Sequence, residues 1–273
     1  MKVVGLYHYP VKSLKGTALT ESAVDPLGLA GDRRWMVVDG DGVFQTIRQH
    51  PVMMMVDVGS RLDGILLRHQ QLGEIFVPTP GAGAPRMKVT VWGDEVEAAV
   101  AMPAAGAFLT RLLGMPVQLV YLDDVAARPV DPAYGAAGDH ASFADGFPVL
   151  ITTTESLAAL NAEVPAPMDM RRFRPNIVIE GAAPWAEDQW RVIRIAGTDF
   201  RVVKPCSRCV ITTRDPDSGE RSEANEPLRA LGRIHRAARG GIIFGQNAIP
   251  DGAGVLRLGD GVEVVEAGAS NLL

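Results

Sequence analysis

The chain has only two cysteines in 273 residues, and both fall in one pentapeptide, Pro205-Cys206-Ser207-Arg208-Cys209. Two thiols so close together cannot staple a chain of this length, so a secreted disulfide framework is excluded and a reducing, cytoplasmic compartment is expected. Positive charge is also short: 27 Lys and Arg stand against 32 Asp and Glu, a net charge of -5, with no block of one sign. That balance offers no footprint for a nucleic-acid polyanion and no polybasic anchor, so no nucleic-acid partner is expected. Long apolar runs are missing as well. No stretch approaches the roughly 18 apolar residues a membrane helix needs, so no membrane span is expected. The opening Met1-Lys-Val-Val-Gly-Leu-Tyr-His-Tyr-Pro10 is too poor in apolar residues for a signal-peptide core. Small-molecule chemistry is the better expectation.

What is present is a globular composition, 47% apolar and 22% charged, which folds rather than staying disordered. The length accommodates two domains. From residue 2 to about 122, β-rich runs alternate with turn signals: Val3 to Tyr7, Trp35 to Asp39, Val52 to Val58, Ile65 to Leu67, Met87 to Trp92 and Val117 to Tyr121. Asp39-Gly40-Asp41-Gly42 reads as a hairpin turn, and only Ala104 to Leu113 has helical length in this half. A stretch without periodicity, Asp123 to Gly138, reads as a connecting or active-site loop, which places a boundary near 125. Beyond it the sequence predicts strands at Pro148 to Thr152, Asn176 to Glu180, Arg191 to Ile195, Phe200 to Lys204, Val210 to Thr213, Val255 to Leu258 and Val262 to Val265. Thr152-Thr-Thr-Glu155 reads as a capping box opening a helix, and a second helix is predicted over Glu226 to Ala238, stopped by Gly240-Gly241. The fold class expected is mainly β with some α (α+β): a β-barrel-like domain over 1–122, then a second β-barrel with a few helices over 126–270.

The Cys206-x-x-Cys209 pair is open to several readings. Half of a structural zinc site lacks its other half, because there is no second cysteine pair and His8, His50, His69, His140 and His235 show no ligand spacing. A redox dithiol is expected at a strand-to-helix turn, whereas Val210-Ile211-Thr212-Thr213 reads as a strand. Two inert buried thiols are a third option. The fourth is a single thiolate ligand, Cys209, to a soft or intermediate metal, with Arg208 beside it favouring the deprotonated form.

The run Pro-Cys-Ser-Arg-Cys-Val-Ile-Thr-Thr-x-Asp-Pro-Asp-x-Gly over 205–219 resembles the signature of MOSC-domain proteins. The branch is that of the mitochondrial amidoxime-reducing component and its bacterial hydroxylaminopurine-detoxifying relatives. The resemblance covers nearly the whole chain. Tyr9-Pro-Val-Lys-Ser-x-Lys-Gly16, Gly31-Asp-Arg-Arg-Trp-Met-Val-Val38 and Arg48-Gln49-x-Pro51 resemble the β-barrel domain that precedes MOSC. Ala144-Asp-Gly-Phe-Pro148, Phe173-Arg-Pro-Asn-Ile-Val178, Ala186-Glu-Asp-x-Trp190 and Phe244-Gly-Gln-Asn247 resemble the MOSC domain itself.

The resemblance implies a molybdenum cofactor (Mo-molybdopterin) whose metal takes one protein ligand, Cys209, and not Cys206. It implies cofactor contacts from Lys12, Ser13, Arg33, Arg174, Asn176, Ser207 and Arg208, which are the cationic, hydroxyl and amide types that a phosphate and a polar ring require. Asp145 is expected to cap a turn or to serve as a cofactor or proton-relay group, and Asn247 to make a polar contact near cofactor or substrate. Trp35, Trp185 and Trp190 are expected to pack cores. The implied activity is reduction of small N-hydroxylated substrates such as hydroxylamines, amidoximes and N-hydroxylated bases. No pyridoxal phosphate is expected, and no iron-sulfur cluster in this chain, because it lacks cysteines to hold one. Electrons are expected from a separate flavin or iron-sulfur donor protein. The alternative is a cofactor- or sulfur-carrier protein in which Cys209 relays a persulfide.

Overall fold

The computed structural model describes residues 1–238 and 240–273. Strands dominate, gathered into one eight-stranded, one four-stranded and two three-stranded sheets among these residues. In the first half Trp35–Val38, Gln118–Tyr121, Asp94–Val100 and Arg86–Val91 form an antiparallel sheet in that order. Asp57–Arg61, Gly64–His69 and Gly73–Pro78 form a meander. The helix Pro103–Leu113 starts with proline at its first turn and ends at Gly114, whose φ of 70° is open to glycine without penalty. Its buried Phe108 and Leu109 join Val37, Ile47, Met53, Leu67 and Leu119 in one core. None of the helices is long and apolar enough to cross a membrane among the described residues.

The eight-stranded sheet runs Val262–Ala267, Trp190–Ile195, Thr198–Ser207, Ile243–Pro250, Val149–Thr153, Ile177–Glu180, Lys2–His8 and Thr17–Leu19. Val149–Thr153 and Ile177–Glu180 pair in parallel; every other neighbour is antiparallel. The first strand of the chain thus lies in the sheet built by its second half, with Leu6 opposite Ile177. The two sheet systems, each with its own buried core, meet along the segments that carry the site.

Four local expectations change. Only the end of Val52 to Val58 is strand: Pro51–Met55 is a 3-10 turn with proline at its start, burying Met53 and Met54. Val210 to Thr213 is also a 3-10 turn, although its residues favour strands. The hydroxyls of Thr212 and Thr213 donate back to the carbonyls of Cys209 (2.9 Å) and Val210 (2.7 Å), and this local bonding outweighs β propensity. The later helix is shorter than predicted, Leu228–Ile234, because His235 turns inward to Asp188 and to the Ile243 carbonyl. The cap of Thr154–Asn161 is Thr153, which accepts from the Ser156 amide, while Glu155 reaches away to the Gly181 amide.

Candidate active site

Two β-bulges build one wall of the site. The pairing of Thr198–Ser207 with Ile243–Pro250 slips between Val202 and Lys204 and again between Pro205 and Ser207. Alternation would send every second side chain away, but the slips re-aim the strand end. As a result Lys204, Pro205, Cys206, Ser207, Arg208 and Cys209 all line one cleft. The other wall brings Lys12, Ser13, Arg33, Arg48 and Trp92 from the first half, with Asp145, Arg174 and Asn176 from the second. The cleft measures about 280 Å³.

Backbone strain concentrates there. Of eight non-glycine residues with positive φ among the described residues, four line this cleft: Ser13 (68°), Arg33 (48°), Trp92 (54°) and Arg174 (54°). Each such conformation costs on the order of 1 kcal/mol and persists only where the surroundings enforce it, which marks functional sites.

The charge is more telling. Six cations, Lys12, Arg33, Arg48, Arg174, Lys204 and Arg208, line the cleft against one carboxylate, Asp145, in a protein that is acidic as a whole. Lys12 is buried; its ammonium donates to the Phe143 carbonyl (2.8 Å) and to Asp145 Oδ1 (2.5 Å). Burial pulls the lysine below its ordinary value, and the Asp145 pairing opposes this. Asp145 itself stays below the usual carboxylate range: withdrawal from water works against ionisation, but Lys12 and the Trp92 N–H outweigh it.

Arg33 and Arg174 lie over the ring of Tyr9, at 4.4 and 4.1 Å from its centroid. Arg33 is tied by Nη1 to Asp32 (2.5 Å) and Asn176 (3.0 Å) and by Nη2 to the Arg174 carbonyl (3.2 Å). Arg174 makes no ion pair among the described residues, and burial, reinforced by the positive charge of Arg33, pulls it down to about 10. Two adjacent, partly buried guanidiniums with a single carboxylate, Asp32, bonded to one of them are poised to accept an anion. Arg208 donates from Nη1 to Cys206 Sγ (2.8 Å) and from Nη2 to the Phe173 carbonyl (2.6 Å), leaving its buried Nε without a partner. The residues therefore fit a phosphate-bearing ligand: cations exceed carboxylates, and a buried guanidinium N–H is unmet.

All the sequence-predicted residues converge on this cleft: Lys12, Ser13, Arg33, Asp145, Arg174, Asn176, Ser207, Arg208, Cys209 and Asn247. Two of them also make contacts within the protein that the sequence did not indicate. The Arg208 fork meets Cys206 rather than Cys209. The Asn176 side chain accepts from Leu150 N and Arg33 and donates one N–H to the Tyr7 carbonyl, so it also positions Arg33 and ties strands together. Cys209, half-buried, sits in extended conformation just before the 3-10 turn. No three His, Cys, Asp or Glu side chains converge on a point among the described residues, so the chain alone builds no metal cage. Sequence reasoning missed Arg48, Trp92 and Lys204. The signal for Trp92 was a tryptophan before Gly93 in a hairpin turn, a place that usually carries Asn or Asp.

Residues 1–116 match the MOSC N-terminal beta barrel domain and residues 138–263 the MOSC domain. Mitochondrial amidoxime-reducing component 1 of Homo sapiens is 32% identical over 95% of this chain and 82% of its own length. The Mus musculus protein of the same name is 30% identical over 95% and 81%. Mitochondrial amidoxime reducing component 2 of Homo sapiens is 28% identical over 84% and 71%. With two domain matches in sequence order and relatives aligned over most of both lengths, the chain belongs to the MOSC-domain family that contains the amidoxime-reducing components.

Proposed function

We propose that this protein reduces N-hydroxylated compounds with a molybdenum cofactor held in the cleft. The observation that carries the proposal is the set of six cations and one carboxylate lining the same cleft as Cys209. Relatives named amidoxime-reducing components support the reaction class. Lys12, Arg33, Arg174 and Arg208 hold the cofactor's phosphate and Ser13, Ser207 and Asn247 contact its polar edges, while Cys209 is the one protein ligand to the metal. When bound, the cofactor supplies two-electron redox chemistry.

Overall, the substrate takes up two electrons and two protons, its N–O bond breaks, and an amine-type product and water leave. Asp145, ionised at neutral pH, accepts a hydrogen bond from the substrate's N–OH, and the proton it shares with Lys12 rests on the lysine. In this reading the electrons come from a separate flavin or iron-sulfur donor protein.

The test is anaerobic reduction of benzamidoxime or 6-hydroxylaminopurine with an artificial electron donor, alongside metal analysis. Molybdenum near one per chain, lost together with turnover in Cys209→Ser, supports the proposal. A Cys209→Ser variant that keeps both would overturn it, and a persulfide on Cys209 without molybdenum would favour a sulfur carrier instead.

A further inference from the structure

Trp92 occupies a position where a tryptophan is costly. It sits at φ 54° in the turn joining Arg86–Val91 to Asp94–Val100, and it is 42% exposed on the rim of the cleft. Neither folding economy nor core packing accounts for a large aromatic there. Its ring is nevertheless fixed. The indole N–H donates to Asp145 Oδ1 (3.0 Å), and the ring packs against Phe44 at 4.9 Å between centroids. The Arg48 guanidinium lies over it at 4.5 Å.

Arg48 is exposed and has no carboxylate partner among the described residues, and its guanidinium lies over the indole. From the second sheet Lys204 repeats the arrangement, its ammonium 4.0 Å from the Tyr134 ring centre and 5.8 Å from that of Phe147, again with no carboxylate partner. Among the other charges lining the cleft, Lys12 and Asp145 pair with each other, while Arg33, Arg174 and Arg208 are the cations assigned above to the cofactor. The entrance is therefore a fixed flat aromatic surface beside two uncommitted cations.

We infer that Trp92 and Arg48 select the substrate: a planar aromatic N-hydroxylated compound that carries an anionic group, its ring on the indole and its anion on Arg48. A flat π-system stacks on the indole in place of, or alongside, the guanidinium, and an anion meets an Arg48 that has no competing carboxylate. An aliphatic or neutral N-hydroxylated compound uses only part of this entrance. The inference rests on the proposed N-hydroxyl reduction and adds the substrate class.

The experiment compares kcat/KM of the loaded protein for 4-carboxybenzamidoxime, benzamidoxime and acetamidoxime. It is paired with calorimetric binding of 4-carboxybenzamidoxime to the same preparations. In Arg48→Gln the ratio of carboxylate to neutral aromatic substrate falls about tenfold, through KM, while Arg48→Lys keeps most of it. In Trp92→Leu the ratio of aromatic to aliphatic substrate falls about tenfold, and Trp92→Phe restores it. Ratios that do not move in Arg48→Gln and Trp92→Leu overturn the inference even if every substrate is reduced. If no substrate is reduced, the proposed activity fails, and the binding measurement still decides the entrance: weaker binding in Arg48→Gln upholds it, and unchanged binding overturns it.

Discussion

Lys12 and Asp145 lie 133 positions apart in the sequence and meet across the cleft at 2.5 Å, tying the first half of the chain to the second. The lysine is buried and the carboxylate is 73% exposed, so the pair faces water on one side only. Asp145→Asn is expected to cost about 1 kcal/mol, roughly 3 °C in thermal midpoint, the low figure reflecting solvent screening of the exposed partner. Because the folded carboxyl titrates below its ordinary value of 3.8, its contribution is present above that value and disappears as pH falls through the folded one. Melting curves of wild type and Asp145→Asn should separate at pH 7 and converge at acidic pH. A gap that persisted unchanged into strong acid would argue against the ion pair as its source.

Arg174 sets stability against binding. It is a partly buried guanidinium beside Arg33 with no carboxylate partner among the described residues, so in cofactor-free protein it is a liability. Arg174→Met is expected to raise the melting temperature of the cofactor-free protein by a few degrees, a gain of about 1 kcal/mol. The same change is expected to reduce molybdenum retention by about tenfold or more, the worth of a charge-assisted hydrogen bond. Destabilisation of the cofactor-free variant would contradict this account.

Gly245 has φ 77°, and a Cβ there would lie 2.6 Å from the Ile151 carbonyl oxygen and 2.7 Å from Thr152 Cγ2. Gly245→Ala therefore combines an unfavourable backbone region with a clash against backbone, and a loss of about 2 kcal/mol or more is expected. Denaturant unfolding measures it. Since Asn247 lies two residues on along the same strand, catalytic efficiency should fall as well.

Away from the cleft, Glu187 is fully buried, with Thr153 and Ser156 hydroxyls donating to one oxygen and the other oxygen unmet. Burial, with Asp188 adding to it, raises its carboxyl from 4.5 to about 7. The folded state thus keeps a proton that the unfolded chain releases, so stability falls as pH rises from about 4.5 to 7 and then levels off. Glu187→Gln should be the more stable form at pH 8, by on the order of 1–3 kcal/mol, with the advantage gone near pH 4. His235, raised by its Asp188 bond against the pull of burial, slopes the same way in both proteins. Unfolding measured across that range tests the difference.

Much of this was legible in sequence where one principle dominated. Period-2 runs such as Met87 to Trp92 and Val117 to Tyr121 gave their strands within a residue or two, and Gly114 ended its helix as glycine does. The site residues were named by motif, and the fold brought them together. What escaped depended on competition between local and distant contacts. Val210 to Thr213 read as strand because β-branched residues favour it, but back-bonding hydroxyls cannot be weighed from composition. Lys204 was hidden by a bulge, since alternation assigns it a face that the slipped register then changes. Arg208 was assigned to the neighbouring thiol by sequence proximity, while geometry gave it Cys206.

Lys2–His8 lies between Ile177–Glu180 and Thr17–Leu19, so it must wait through the synthesis of more than half the chain for its second partner. An emerging polypeptide carries one side of that strand unpaired, an open edge of the kind that recruits other chains. The halves are accordingly poor candidates for separate expression. A fragment starting after residue 125 would expose the Ile177–Glu180 edge, and a fragment ending there would leave Leu6 and Val3 without the core they enter. Adding a peptide of residues 1–20 to the later fragment should rescue its solubility by completing the sheet, which would turn the covalent continuity of this protein into a non-covalent complementation assay.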